Sequence, residues 1–188
     1  MMRIIGGEFG GRSIQSISGP GYRPATGKVR QAVFSMLESR GVIWSETRVL
    51  DCFAGSGSLG LEALSRGGRQ VWFIEKKKQA ARSIELNCRR LKIHPDRFRV
   101  LARDVFSVLK QRNCPPFELA FVDPPYGREY ALPALNRIGA LLGPEAYVVS
   151  EVESTLDFQE ALFQDLDLLL NRTYGQTRIG LWIANVRK

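Results

Sequence analysis

The stretch that most narrows the possible folds is Arg48-Val49-Leu50-Asp51-Cys52-Phe53, followed without a break by Ala54-Gly55-Ser56-Gly57-Ser58-Leu59-Gly60. An apolar run of strand length passes directly into a Gly-x-Gly-x-x-Gly loop and then into a helical pattern that continues through Ser65. Glycines at this spacing suit a strand-to-helix turn whose backbone approaches a ligand and whose helix packs closely on its strand. The next strand, Gln70 to Glu75, ends on an acid about 20 residues further on, as a dinucleotide-binding unit requires.

Beyond that unit the chain keeps alternating. A helix carries Ala80, Ile84, Cys88 and Leu91 on one face; strands are expected at Phe98 to Asp104, at Phe117 to Val122 and at Ala146 to Val152, with a helix from Leu132 to Leu142 between the last two. After an amphipathic segment near Phe158 to Phe163, the runs Leu166 to Thr173 and Thr177 to Val186 flank Tyr174-Gly175-Gln176 and read as an antiparallel hairpin. The expected class is therefore α/β: a Rossmann-like, doubly wound, mostly parallel seven-stranded sheet with an antiparallel C-terminal strand. Residues 1–47 add a small N-terminal β-hairpin and helix extension. Gly6-Gly7 and Gly10-Gly11 interrupt β-formers between Arg3 and Ile17, and Val29, Val33, Met36 and Leu37 fall at helical spacing behind the candidate N-cap Thr26. With 188 residues, 44% of them hydrophobic, residues 1–188 suit a single domain whose core is 48–188.

Charge points to an acidic partner. The net charge is +8, and the basic residues concentrate between Arg66 and Arg112, whereas Glu145 to Asp167 contains no Lys or Arg. This polarity suits one face turned toward nucleic acid, although some of these residues form the solvated face of a helix. Cys52, Cys88 and Cys114 are scattered, and His94 is the lone histidine, so neither a disulfide framework nor a metal site is expected. No apolar stretch approaches the roughly 18 residues of a membrane span and the N-terminus lacks a signal-peptide core, so a cytoplasmic protein is expected.

The glycine loop identifies a class of adenosine cofactors without choosing among them. Asp51 and Asp104 favour S-adenosylmethionine. Asp51, four residues before Gly55, would repel a pyrophosphate but could receive the ammonium of a methionine moiety. Asp104, followed by Val105 and Phe106, is placed to accept from an adenine amine with apolar side chains against the ring, while Glu75 can hold ribose hydroxyls. Each acid taken singly is equally a strand-end or N-cap residue.

The remaining signal is Asp123-Pro124-Pro125-Tyr126, directly after an apolar strand. Two prolines donate no N–H and fix φ near −65°, so the strand must give way to a stiff turn at its carboxyl end, where ligands bind in open α/β sheets. The turn offers a carboxylate, bare carbonyls and an aromatic ring. These suit a planar base with an exocyclic amine, whose hydrogens go to Asp123 and a proline carbonyl while Tyr126 stacks on its face. An ordinary proline-rich loop is the alternative reading of the tetrad alone.

Taken together, Arg3-Ile4-Ile5-Gly6-Gly7 with Gly11-Arg12, Arg23-Pro24 with Val29-Arg30, Asp51 to Gly57, Glu62 to Gly67, Asp104 and Asp123 to Tyr126 resemble the class I S-adenosylmethionine-dependent methyltransferases. More closely, they resemble the bacterial small-subunit ribosomal RNA guanine-N2 methyltransferases, the RsmD family. The resemblance implies catalytic roles for Asp123, Pro124, Pro125 and Tyr126. It implies cofactor contacts from Asp51, Phe53, Ala54, Gly55, Ser56, Gly57, Glu75, Lys76, Asp104 and Val105, and RNA contacts from Arg12, Arg23, Thr26 and Arg30; read by themselves, Arg23, Lys28 and Arg30 either grip phosphate or solubilise the helix that follows Thr26. It further implies 16S ribosomal RNA as partner, within a small-subunit ribonucleoprotein, and a monomer that needs no metal. The family's run after Arg-Pro carries an Asp and a Glu that are absent around Gly27 and Gln31 here. Two alternatives stay open: methylation of an adenine amine in DNA or RNA, and a non-catalytic RNA-binding assembly factor.

Overall fold

The computed structural model describes residues 2–16, 27–111, 114–127, 129–156, 158 and 163–185. The core is a seven-stranded sheet built from β3 (Arg48–Cys52), β4 (Gln70–Ile74), β5 (Phe98–Leu101), β6 (Phe117–Val122), β7 (Leu142–Glu153), β8 (Leu166–Tyr174) and β9 (Thr177–Ala184). Their spatial order is β5-β4-β3-β6-β7-β9-β8, parallel from β5 to β7, with β9 antiparallel to both of its neighbours. The expected class and strand number hold. The expected third strand is cut short at Leu101, because Asp104 has left the ladder and instead accepts the N–H of Phe106 at 3.0 Å, capping the four-residue helix α4 (Val105–Val108).

The central strands are apolar on both faces because helices cover both. One face, with Val49, Phe121 and Val149, packs under α1 (Gly27–Ser39), α2 (Ser58–Ser65) and α3 (Lys78–Arg90). The other, with Leu50, Ala120 and Val148, packs under α4 and α5 (Ala131–Ile138). Burial of this kind is worth roughly 25 cal/mol per Å² of apolar surface and explains the near-continuous hydrophobic runs.

The extension is anchored on α2. A two-residue antiparallel pair, β1 (Met2–Arg3) with β2 (Ser13–Ile14), frames a loop that docks on Glu62 and Ser65. Glu62 is fully buried and its carboxylate accepts the backbone N–H groups of Ile5 (2.7 Å) and Gly6 (2.9 Å) while pairing with Arg66. At Gly7, φ is +75° and a Cβ would lie 2.0 Å from the Ser65 carbonyl oxygen, so only glycine permits this approach.

Candidate active site

The chain winds from β3 through β4 to β5 in one direction and from β6 to β7 in the other, so the crevice between β3 and β6 is the switch point of the sheet. The Cys52–Val122 register pair brings Phe53 and Asp123 side by side at its mouth. The glycine loop and the proline turn, far apart in sequence, thus meet in space.

Each acid expected at the cofactor side is found holding backbone. Asp51 is 1% exposed, and one carboxylate oxygen accepts the N–H of Gly60 at 3.0 Å, in the first turn of α2; the second takes no hydrogen bond from a described residue. Burial pushes its carboxyl up to about 7, the Gly60 N–H opposes that rise and nearby Glu75 adds to it. Glu75 accepts the N–H of Gly55 at 2.9 Å with one oxygen and that of Lys77 at 2.8 Å with the other, so it fixes the glycine loop from the neighbouring strand. Gly57 caps α2 at φ +76°, and a Cβ on Gly60 would stand 2.3 Å from Phe73 Cε1, which is why helix and sheet can approach so closely. Ala54 and Ser56 are buried within the loop, and Val105 is buried in the core. Lys76 is exposed and its Nζ lies 3.2 Å from Asp104 Oδ2, so those two expected cofactor contacts lie together.

Phe53 adopts φ +62°, a left-handed conformation uncommon for a bulky residue. Its ring stacks on Tyr130, with centroids 6.1 Å apart and planes 6° from parallel, and both rings meet Phe106 edge-on. Tyr130 carries no motif that marks it in the sequence; its one signal is its place just before α5, in the connection leaving the proline turn.

On the β6 side the turn is braced. Tyr126 Oη lies 2.7 Å from Thr177 Oγ1 at the start of β9, and the N–H of Gly127, at φ +70°, bonds Glu153 at the end of β7. Pro124 is buried and Pro125 half-buried. Asp123 is half-buried, and its carboxyl is pushed well above the ordinary value by desolvation, then by Glu151 and Asp51. Among the described residues none donates a hydrogen bond to it.

The expected RNA contacts are dispersed. Arg12 is exposed in the β1–β2 loop, and Arg23 and Thr26 lie outside the described residues. Arg30, read in sequence as gripping phosphate or solubilising its helix, is 3% exposed on the buried face of α1, with Nη2 donating to the Arg3 carbonyl at 2.8 Å.

The family described as "Conserved hypothetical protein 95" matches residues 2–183. The chain is 38% identical to Ribosomal RNA small subunit methyltransferase D of Escherichia coli (strain K12) over 159 residues, covering 82% of this chain and 77% of that protein. It is 31% identical to YlbH of Bacillus subtilis (strain 168) across 96% of this chain and 98% of that one. Among solved structures, yhhF from Escherichia coli superposes with a TM-score of 0.84 at 31% identity, over 99% of both chains.

Proposed function

The chain belongs to the family described as conserved hypothetical protein 95, the RsmD family of S-adenosylmethionine-dependent ribosomal RNA methyltransferases, and from that premise we propose that it methylates the exocyclic N2 amine of a guanine in small-subunit ribosomal RNA, within a ribonucleoprotein particle. The observation that carries the reading is Asp123, a carboxylate unclaimed by described donors, set beside the Pro124 carbonyl in a braced turn at the switch point.

The crevice suits the cofactor. Asp51 retains an oxygen for an ammonium group, Glu75 stands at the end of β4 beside the glycine loop, where ribose hydroxyls would lie, and Phe53, Asp104 and Phe106 offer an apolar wall with an acceptor beside it for adenine. S-adenosylmethionine, when bound, supplies an electrophilic methyl group on a sulfonium that becomes a thioether after transfer.

The protein's share is alignment and electrostatics. Asp123 and the Pro124 carbonyl accept the two amine hydrogens, which turns the nitrogen lone pair out of conjugation with the ring. Tyr126, tied to Thr177, holds its ring against the base. As the new N–C bond forms the amine sheds one proton, and Asp123, whose raised proton affinity comes from burial, receives it before release to solvent. A base must leave its stack to reach this turn, at a cost of a few kcal/mol, which favours unpaired or partly assembled RNA.

The test is transfer of a labelled methyl group from S-adenosylmethionine to small-subunit particles from a strain lacking the gene, followed by nuclease digestion. Label in N2-methylguanosine is expected, and Asp123→Ala should abolish it with S-adenosylmethionine affinity within a few-fold of wild type. Label in N6-methyladenosine would overturn the choice of base.

A further inference from the structure

The register of the sheet sets a second carboxylate next to Asp123. Val122 pairs with Ser150 across β6 and β7, so one step on, Asp123 and Glu151 are neighbours on adjoining strands. Asp51, Phe121 and Val149 are in register, and side chains alternate, so Asp51, Asp123 and Glu151 all lie on the α1 side of the sheet. Glu151 is 5% exposed. Two carboxylates side by side, one buried and the other half-buried, are costly unless donors claim them. On α1, Arg30 lies close enough to Glu151 for the two charges to interact, and its Nε and Nη1 lack any acceptor among the described residues, where it makes no ion pair with Glu151 or Asp123.

Resting on the base-amine reading above, we propose that Glu151 determines base specificity: it accepts the N1–H of guanine while Asp123 accepts from the adjacent 2-amino group. Guanine alone among the four bases presents a ring N–H directly beside an exocyclic amine. Adenine and cytosine place an unprotonated ring nitrogen there, whose lone pair would face the Glu151 carboxylate and leave it desolvated and unpaired. Neighbouring strands stand about 4.8 Å apart, a gap that two side chains converging on one ring edge close easily. Arg30 serves as the positioning residue whose positive charge favours the ionised form of Glu151. Burial raises the Glu151 carboxyl to about 7 and Arg30 opposes that rise. The other charged groups facing the cluster are Asp51 from β3, Asp123 from β6 and Glu62 from α2.

The experiment uses small-subunit particles reassembled from RNA in which the methylated guanine is replaced by 2-aminopurine, which keeps the 2-amino group and lacks N1–H. Wild-type enzyme should prefer guanine by about 100-fold or more in kcat/KM, because a site built to accept a hydrogen bond rejects the analogue lacking the donor. Glu151→Gln can turn its amide NH2 toward the ring nitrogen, so its preference should fall to about 10-fold or less with S-adenosylmethionine affinity unchanged. A wild-type enzyme that methylates both bases within about three-fold would overturn the proposal whatever the variant does, and so would Glu151→Gln retaining the wild-type ratio. A wild-type enzyme that places no methyl on guanine N2 in unmodified particles would instead remove the reading on which the proposal rests.

Discussion

At Asp51 the requirements of stability and function oppose each other. Burial has moved its carboxyl from an ordinary 3.8 up to about 7, so the folded protein binds this proton more tightly than the unfolded chain does. The associated stability is complete below about pH 4 and is lost as pH rises toward 7, on the order of 4 kcal/mol. Asp51→Asn keeps an acceptor for the Gly60 N–H and removes the buried charge. Its melting temperature should therefore exceed that of wild type at pH 8, with the gap closing as pH falls toward 4, while S-adenosylmethionine affinity drops at least about ten-fold for want of a partner to the ammonium group. Thermal melts across that pH range with cofactor titrations check both halves; a gap independent of pH would show that ionisation is not its cause. Tyr126→Phe addresses a narrower point. It keeps the ring and deletes the hydroxyl bonded to Thr177, worth about 1 kcal/mol, so kcat/KM on particles should fall about five-fold while cofactor affinity stays constant.

Among the elements, α2 joins the N-terminal extension to the cofactor loop through Glu62. That carboxylate holds two backbone N–H groups and Arg66 in a fully buried site. Glu62→Gln offers one oxygen where two were used and leaves Arg66 with Glu38 as its counter-charge, so the loss, roughly 1 to 3 kcal/mol, comes mainly from a buried backbone N–H deprived of its acceptor. Denaturant melts would measure it, and proteolysis should reach residues 2–16 before the core. The strands of this fold were legible because buried parallel strands are apolar runs bounded by turn residues, and β6 carries the bounds read from sequence, Phe117 to Val122. The proline turn and the glycine loop were legible for the same local reason. What sequence alone did not reveal were residues whose roles come from docking between elements. Arg30 looked like a surface cation, yet it falls in phase with Val29, Val33, Phe34 and Leu37 on the stripe that α1 buries. Glu151 lay inside an expected strand with nothing local to separate it from a solvated acid, and only the pairing of β6 with β7 sets it beside Asp123.

For the molecule as a whole, the net charge of +8 divides into cations held by the fold and cations left to a partner. Arg97 donates through Nη2 to the carbonyls of Leu64 and Gly68 at the C-terminal end of α2, and Arg99 lies 4.5 Å over the Trp72 ring. By contrast Lys78 and Arg82, on the first turns of α3, and Arg103, after β5, are exposed at the carboxyl end of the sheet, on the side where the base must enter. If RNA docks over that edge, each neutralises phosphate, and affinity depends on salt through counterion release. Replacing Lys78, Arg82 and Arg103 together by Ala should weaken particle binding and flatten the slope of log affinity against log salt by about 0.7 to 0.9 for each phosphate that is no longer neutralised. Cofactor affinity should not change. Arg97→Ala is the control: it removes a positive charge that the fold holds and strips two carbonyls of their donor, so it should lower the melting temperature and leave the salt slope close to wild type. Filter-binding titrations from about 50 to 200 mM salt, a range over which several neutralised phosphates change affinity by orders of magnitude, distinguish the two behaviours. A triple variant with an unchanged slope would move the RNA footprint away from this edge of the sheet.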